Sequence, residues 1–199
     1  GDERLYMSPA HKFAQNKAIR GGVPVIFPQF SDMGTGATHG AVRNRQWACV
    51  DINNDDGVGI FEIRIAADDK DFPDAQCRLT LTVTVSDKAL KLTAKVDETT
   101  FESTTAAADF GFAFHTYFAI SDIANVTLAG FEDGMPFADN LQNRKMVEGK
   151  DQKAITAINQ EVDRIYVGVT DKAPLIISDP KLGHELLVSG ENLPDVVLW

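Results

Sequence analysis

Two histidines and two arginines are the residues best suited to chemistry. His115 opens His115-Thr116-Tyr117-Phe118 and directly follows an apolar run, Phe110 to Phe114, that reads as a buried strand. A titratable ring is thereby predicted at a strand end, where a pocket can form. Phe112, Phe114, Tyr117 and Phe118 flank it, and loss of water around an imidazole tunes its pKa near the range useful for acid–base work. His39 lies in a Gly-rich loop, followed by Gly40 and, four residues on, by Arg43. Arg20 precedes Gly21 and Gly22, which lack a Cβ and let backbone approach a ligand closely, while Pro24 and Pro28 stiffen the segment beyond. A guanidinium in that setting can clamp a phosphate. Asp163, in Glu161-Val162-Asp163-Arg164-Ile165-Tyr166, begins a predicted strand and can accept hydrogen bonds from ligand hydroxyls. Together these residue types predict proton transfer on a small anionic substrate.

Each residue also has an ordinary structural reading. Arg20 can be a surface or salt-bridged arginine, and His39 with Arg43 can belong to an exposed loop. His115 can be a satisfied core histidine, and Asp163 a strand-end cap or a partner for Arg164.

The elements that must position these residues are almost wholly β. Leu79, Leu81, Val83 and Val85 alternate with Thr80, Thr82 and Thr84, which predicts a strand with one buried face. Ser86-Asp87-Lys88 supplies turn residues before a second alternation, Leu90, Leu92, Ala94 and Val96 against Lys91, Thr93, Lys95 and Asp97, so the two runs predict a hairpin. Similar short runs fall at Arg45–Ile52, Gly59–Ala66, Val126–Leu128, Ile165–Val169, Leu175–Ile177 and Glu185–Val188. No long helical period competes. Crossover helices are what a parallel sheet needs, so the expectation is an all-β, antiparallel sandwich built as one domain over residues 1–199.

Composition narrows the partners. A formal net charge of -10 argues against nonspecific binding of nucleic acid or an anionic membrane, and leaves a small molecule as the expected partner. No apolar run is long enough to cross a bilayer, and no signal peptide opens the chain. Two cysteines, Cys49 and Cys77, both in strand-like contexts, fit reduced core thiols and a cytoplasmic setting.

Several apparent motifs are set aside. Asp51, Asn53, Asp55 and Glu62 have calcium-loop spacing, but Asp56 stands where the loop needs glycine, so a polar hairpin turn is expected. Gly34, Gly36 and Gly40 match no nucleotide-binding spacing, and no histidine or cysteine has a zinc-ligand neighbour. The sequon Asn125-Val126-Thr127 matters only in a secreted chain.

Taken in order, four segments resemble the aldose 1-epimerase superfamily, most closely its hexose-6-phosphate branch. They are Ala18-Ile19-Arg20-Gly21-Gly22-Val23-Pro24-Val25-Ile26-Phe27-Pro28-Gln29-Phe30, His39-Gly40-Ala41-Val42-Arg43-Asn44 with Trp47, Phe114-His115-Thr116-Tyr117-Phe118, and Glu161 to Tyr166. The resemblance runs on to Asn192-Leu193-Pro194-Asp195-Val196-Val197-Leu198-Trp199. It implies a large galactose-mutarotase-like supersandwich that interconverts the α and β anomers of a hexose 6-phosphate without cofactor or metal. It further implies His115 as the acid at the ring oxygen, His39 as its assistant, Asp163 as a ligand of sugar hydroxyls, and Arg20 with Arg43 as the phosphate grip.

The chain departs from that family at its ends. Members continue past the Val-Val-x-Trp strand into a stretch bearing the glutamate that serves as general base, whereas these residues stop at Trp199 and start well inside the usual domain. A chain incomplete at both ends is therefore expected. Glu185 and Glu191 match no family motif, and the base stays unassigned. The alternatives are a noncatalytic sugar-phosphate-binding module and a mutarotase for unphosphorylated sugars.

Overall fold

In the computed structural model, residues 3–10, 13–14, 17–34, 36–66, 68–70, 75–101, 110–149, 154–156, 158–170 and 173–199 are described. Among them the regular elements are all strands except for two single-turn 3-10 helices. The chain divides into two units, one formed by residues 7–117 and the other by residues 1–6 with 118–199.

Residues 7–117 hold six strands: β1 (Val25–Ile26), β2 (Ala48–Asn53), β3 (Val58–Ile65), β4 (Ala75–Val85), β5 (Leu90–Phe101) and β6 (Ala113–Phe114). Strands β2 to β5 form an antiparallel meander in sequence order, and β1 pairs antiparallel with β6. The alternation in the sequence explains the register. Ile63 faces Leu79, Ile65 faces Cys77, and Leu79 faces Val96, so apolar side chains of three strands meet on one face. Leu79 and Phe27 are fully buried there, with Val25, Val42 and Cys77 beside them. Each such aliphatic or aromatic burial stabilises the fold by roughly 1.5–3 kcal/mol.

The acidic stretch of calcium-like spacing is a polar turn, as expected: the Asn53 Oδ1 accepts the N–H groups of Asp55 (3.0 Å) and Asp56 (3.2 Å) between β2 and β3. Three expectations need correction. The apolar run from Phe110 forms strand only at Ala113–Phe114, and Phe110 is exposed. Extended backbone from Arg45 becomes strand only at Ala48, because Val42–Asn44 is a 3-10 turn and Arg45 closes it. Cys49 is exposed on β2, an edge strand, whereas Cys77 is buried and its thiol pKa is pushed up to about 11 by burial.

Residues 118–199 hold β7 (Thr127–Ala129), β8 (Phe137–Asp139), β9 (Lys145–Val147), β10 (Ala154–Thr156), β11 (Arg164–Tyr166), β12 (Leu175–Asp179), β13 (His184–Val188) and β14 (Val196–Leu198). They form two antiparallel sheets, ordered β10-β7-β12-β13 and β14-β11-β8-β9. Tyr166 lies at the centre of their core, its ring 4.7 Å from Phe131 and 5.3 Å from Phe137. The buried Asp179 carboxylate accepts the Ser121 N–H (2.6 Å) and hydroxyl (2.8 Å) and the N–H groups of Lys181 and Leu182 (both 3.1 Å). Four donors to the charged form hold its pKa below the ordinary carboxylate value and shape the turn from β12 to β13.

The β4–β5 hairpin carries a pH-dependent clasp. Asp97 accepts from Arg78 Nε (2.8 Å) on the facing strand and from Lys95 Nζ (2.7 Å), which lowers its pKa to about 2, chiefly through the Arg78 bond. A depressed carboxylate contributes stability that is present above its unfolded value and lost as pH falls toward its folded one. Melting curves between pH 5 and pH 2 are therefore expected to fall more steeply for the parent chain than for Asp97→Asn. Parallel curves would show that the clasp contributes nothing across that window.

Candidate functional site

A backbone ladder brings the Arg20 segment to the His115 segment. Pro24 O accepts the His115 N–H (2.9 Å), Gly22 O accepts the Tyr117 N–H (2.9 Å), and Pro28 O accepts the Gly111 N–H (2.6 Å). Between these bonds Val25 faces Phe114 and Ile26 faces Ala113. Apolar residues at 25, 27, 112 and 114 enter the core, and Ile26 between them is fully buried as well. Arg20 is exposed, and its carbonyl accepts the Ser8 N–H (2.9 Å).

The His39 loop is tied to the same ladder. Gly40 bridges Phe27 in parallel fashion, and the Ala41 N–H donates to Phe27 O (3.0 Å). Gly40 has φ +74°, and a Cβ there would fall on the Phe27 carbonyl oxygen, so the close approach requires glycine. His39 itself adopts φ +64°. Its N–H donates to Ser31 O (2.9 Å), and its Nδ1 accepts the Ser31 N–H (3.1 Å). With Nδ1 accepting, the neutral ring carries its proton on Nε2.

The two histidines meet edge to face, with ring centroids 5.8 Å apart at 85°. Phe30 packs against His39 at 5.2 Å, and Tyr117 stacks on His115 at 4.8 Å and 20°. Burial lowers the His115 pKa; a backbone hydrogen bond opposes it, and the positive charge of Arg43 adds a smaller push downward. The ring is neutral at neutral pH and, once protonated, is a stronger acid than an exposed imidazolium.

Arg43 is placed by the 3-10 turn Val42–Asn44, which the fully buried Val42 anchors in the core. Its Nη2 donates to Thr38 O (3.1 Å), while its Nε is buried with no hydrogen-bond partner among the described residues. Desolvation lowers its pKa, with the nearby Tyr117 opposing. A guanidinium that is partly stripped of water and has an orphan donor is suited to an anion.

The structure thus groups His39, His115 and Arg43 in residues 7–117, whereas Arg20 is exposed with its carbonyl bonded to Ser8. Asp163 belongs to the other unit, directly before β11. Its Oδ1 accepts from Asn140 Nδ2 (2.7 Å), and its carbonyl accepts the Asn140 N–H (2.9 Å). Arg164 instead lies over the Phe137 ring at 4.5 Å. Sequence reasoning gave Tyr117 only a desolvating role; its spacing of two from His115 on extended backbone was the signal for a shared face. It missed Gln29, whose carboxamide is buried beneath the His39 loop.

The antiparallel sheets make this an all-β protein, and the histidine–arginine cluster lies in its residues 7–117. The aldose 1-epimerase family model matches residues 2–199, and the chain belongs to that family. It is 33% identical to the "Putative glucose-6-phosphate 1-epimerase" of Cenchrus ciliaris, covering 100% of this chain and 61% of that relative. Identity is 31% to the protein of the same name from Escherichia coli K12, over 100% of this chain and 64% of the relative. The crystal structure described as "a putative mutarotase (YeaD)" from Salmonella typhimurium superposes with TM-score 0.79 at 26% identity, over 98% of this chain and 62% of that one. The chain thus spans less than two thirds of the length of these relatives. Among the described residues no helix is long and apolar enough to cross a membrane.

Proposed function

We propose that this chain carries the acid and the phosphate grip of a hexose-6-phosphate 1-epimerase, which interconverts the α and β anomers of its sugar phosphate. One observation carries the reading: the buried Arg43 Nε, without a partner among the described residues, in the same unit as the His39–His115 pair. The names borne by the relatives from Cenchrus ciliaris and Escherichia coli point the same way.

In the reaction a base takes the proton of the anomeric hydroxyl, the bond from the anomeric carbon to the ring oxygen breaks, and the ring oxygen takes a proton. The open aldehyde turns and recloses on its other face as the same transfers reverse. His115 is the acid at the ring oxygen: burial keeps its pKa below the ordinary value, which makes its protonated form a stronger acid and a scarcer one near neutral pH. His39 presents Nε2–H as a donor to the same oxygen. Arg43 and Arg20 hold the phosphate. No residue named here is assigned as the base. We place the protein in the cytoplasm, where hexose phosphates are held and where an exposed thiol such as Cys49 stays reduced.

The test is exchange spectroscopy on the anomers of glucose 6-phosphate, with glucose as control. Phosphate-specific acceleration is expected, and Arg43→Ala is expected to weaken binding about tenfold to a hundredfold, the loss of a charge-assisted hydrogen bond. Arg20→Ala should weaken it in the same sense. Phosphate-dependent line broadening without acceleration would favour a binding module. Equal handling of glucose would favour an unphosphorylated sugar.

A further inference from the structure

Among the described residues only two polar side chains are buried, Asp179 and Gln29. Asp179 shapes a turn; Gln29 lies under the loop that carries His39. Its Nε2 donates to Ser31 O (3.1 Å) and Gly36 O (3.3 Å), and its Oε1 accepts the Gly36 N–H (2.8 Å). One carboxamide therefore ties both ends of the segment from Ser31 to Gly36. The orientation of the amide follows from its partners, since exchanging O and N would set an NH2 against the Gly36 N–H and an oxygen against two carbonyls. Ser31 O then accepts twice, from Gln29 and from the His39 N–H (2.9 Å), while the Ser31 N–H donates to His39 Nδ1 (3.1 Å).

Ser31 sits at φ +50° and His39 at φ +64°, conformations that side-chain-bearing residues adopt at a cost and that surrounding contacts must hold. Gln29 supplies one of those contacts, to Ser31 O, and two more to Gly36, from a site only 8% exposed. Packing around it is close: a Cβ at Gly34 would fall on the Gln29 Oε1.

We propose that Gln29 is a positioning residue which, acting through Ser31, fixes the ring orientation of His39 and holds the neutral ring as its Nε2–H tautomer. The inference rests on the reading of His39 as a donor in the site proposed above. A carboxamide suits this role because it donates and accepts without titrating, so the Ser31 peptide is held at the same angle at any working pH. A loose ring would still bind near the sugar but would seldom aim its N–H at the ring oxygen, and misaiming costs rate more than affinity.

The experiment uses the full chain with 15N-labelled histidine, at a pH where the rings are neutral. In the parent, a through-hydrogen-bond correlation from the Ser31 N–H to His39 Nδ1 is expected, with a pyridine-type Nδ1 and a pyrrole-type Nε2. In Gln29→Met the correlation should vanish, the two nitrogen shifts should move toward each other as a second tautomer is populated, and kcat should fall about tenfold to a hundredfold at nearly constant KM. Gly34→Ala displaces the same carboxamide while leaving Gln29 in place, so it decides the matter if Gln29→Met fails to fold. Absence of the correlation in the parent, or its persistence in either folded variant, overturns the proposal. So does an unchanged kcat in a variant that has lost it. A parent chain with no turnover refutes the functional reading instead, and the nitrogen spectra still decide the role of Gln29.

Discussion

His115→Gln lowers the protein-catalysed exchange of hexose 6-phosphate anomers by about a hundredfold to ten-thousandfold, the range associated with removal of a general acid. Affinity for the sugar phosphate changes by less than about threefold, because Arg20 and Arg43, not His115, carry the phosphate charge. Glutamine keeps a planar group able to donate a hydrogen bond and stack on Tyr117, 4.8 Å away in the parent, but it has no proton to give at working pH. The measurement is the exchange rate at saturating substrate, with the dissociation constant read from line broadening. A rate within about tenfold of the parent would move the acid elsewhere, and His39, 5.8 Å away, would be tested next. The same variant has a stability signature. Burial keeps the His115 pKa below its ordinary value of about 6.5, so the unfolded chain takes up the proton first as pH falls. Stability contributed above that value is lost below it, and His115→Gln removes this limb of the melting profile.

Gly40→Ala is expected to destabilise the fold by more than about 4 kcal/mol, which lowers the melting temperature by roughly 8–16 °C for a chain of this size. Two independent costs add. Alanine at φ +74° is strained by itself, and its Cβ lands on the Phe27 carbonyl, a backbone atom that cannot swing aside. That carbonyl also accepts the Ala41 N–H (3.0 Å), so retreat would break the bond that holds the His39 loop to the first strand. Phe27 cannot retreat either, being fully buried among Val25, Val42 and Leu79. Circular dichroism melts check the number. A shift under about 3 °C would show that the loop yields, and His39 would then be expected to move with it.

Legibility in the sequence differed from element to element for physical reasons. The β4–β5 hairpin was plain because alternation over Leu79–Val85 and Leu90–Asp97 repeats a local rule, and the observed pairing of Leu79 with Val96 and Val85 with Leu90 follows from it. Short strands were read less well. The run after Phe110 and the run after Arg45 are apolar enough for strand, yet pairing exists only where a partner with free backbone groups lies alongside. Cys49 read as a core residue from its apolar neighbours, but its strand is an edge of the sheet and exposes that thiol. Edge position is a property of strand order, which no local window contains.

The candidate site shows the same division. Residue types alone determined which groups could move a proton or hold a phosphate: His39, His115, Arg20 and Arg43, together with the glycines that let backbones approach. The all-β, antiparallel class was likewise determined by short alternating runs without helical period. Only the tertiary structure decided that His39 and His115, 76 positions apart in a chain numbered as here, share an edge-to-face contact. It alone decided that the neutral His39 ring keeps its proton on Nε2, that the Arg43 Nε is left buried without a partner among the described residues, and that Gln29 braces the loop above it. Side-chain chemistry is written residue by residue, but pKa, tautomer and orphaned hydrogen bonds depend on what else is within a few ångströms, and in this protein those neighbours are assembled by strand pairings distant in sequence.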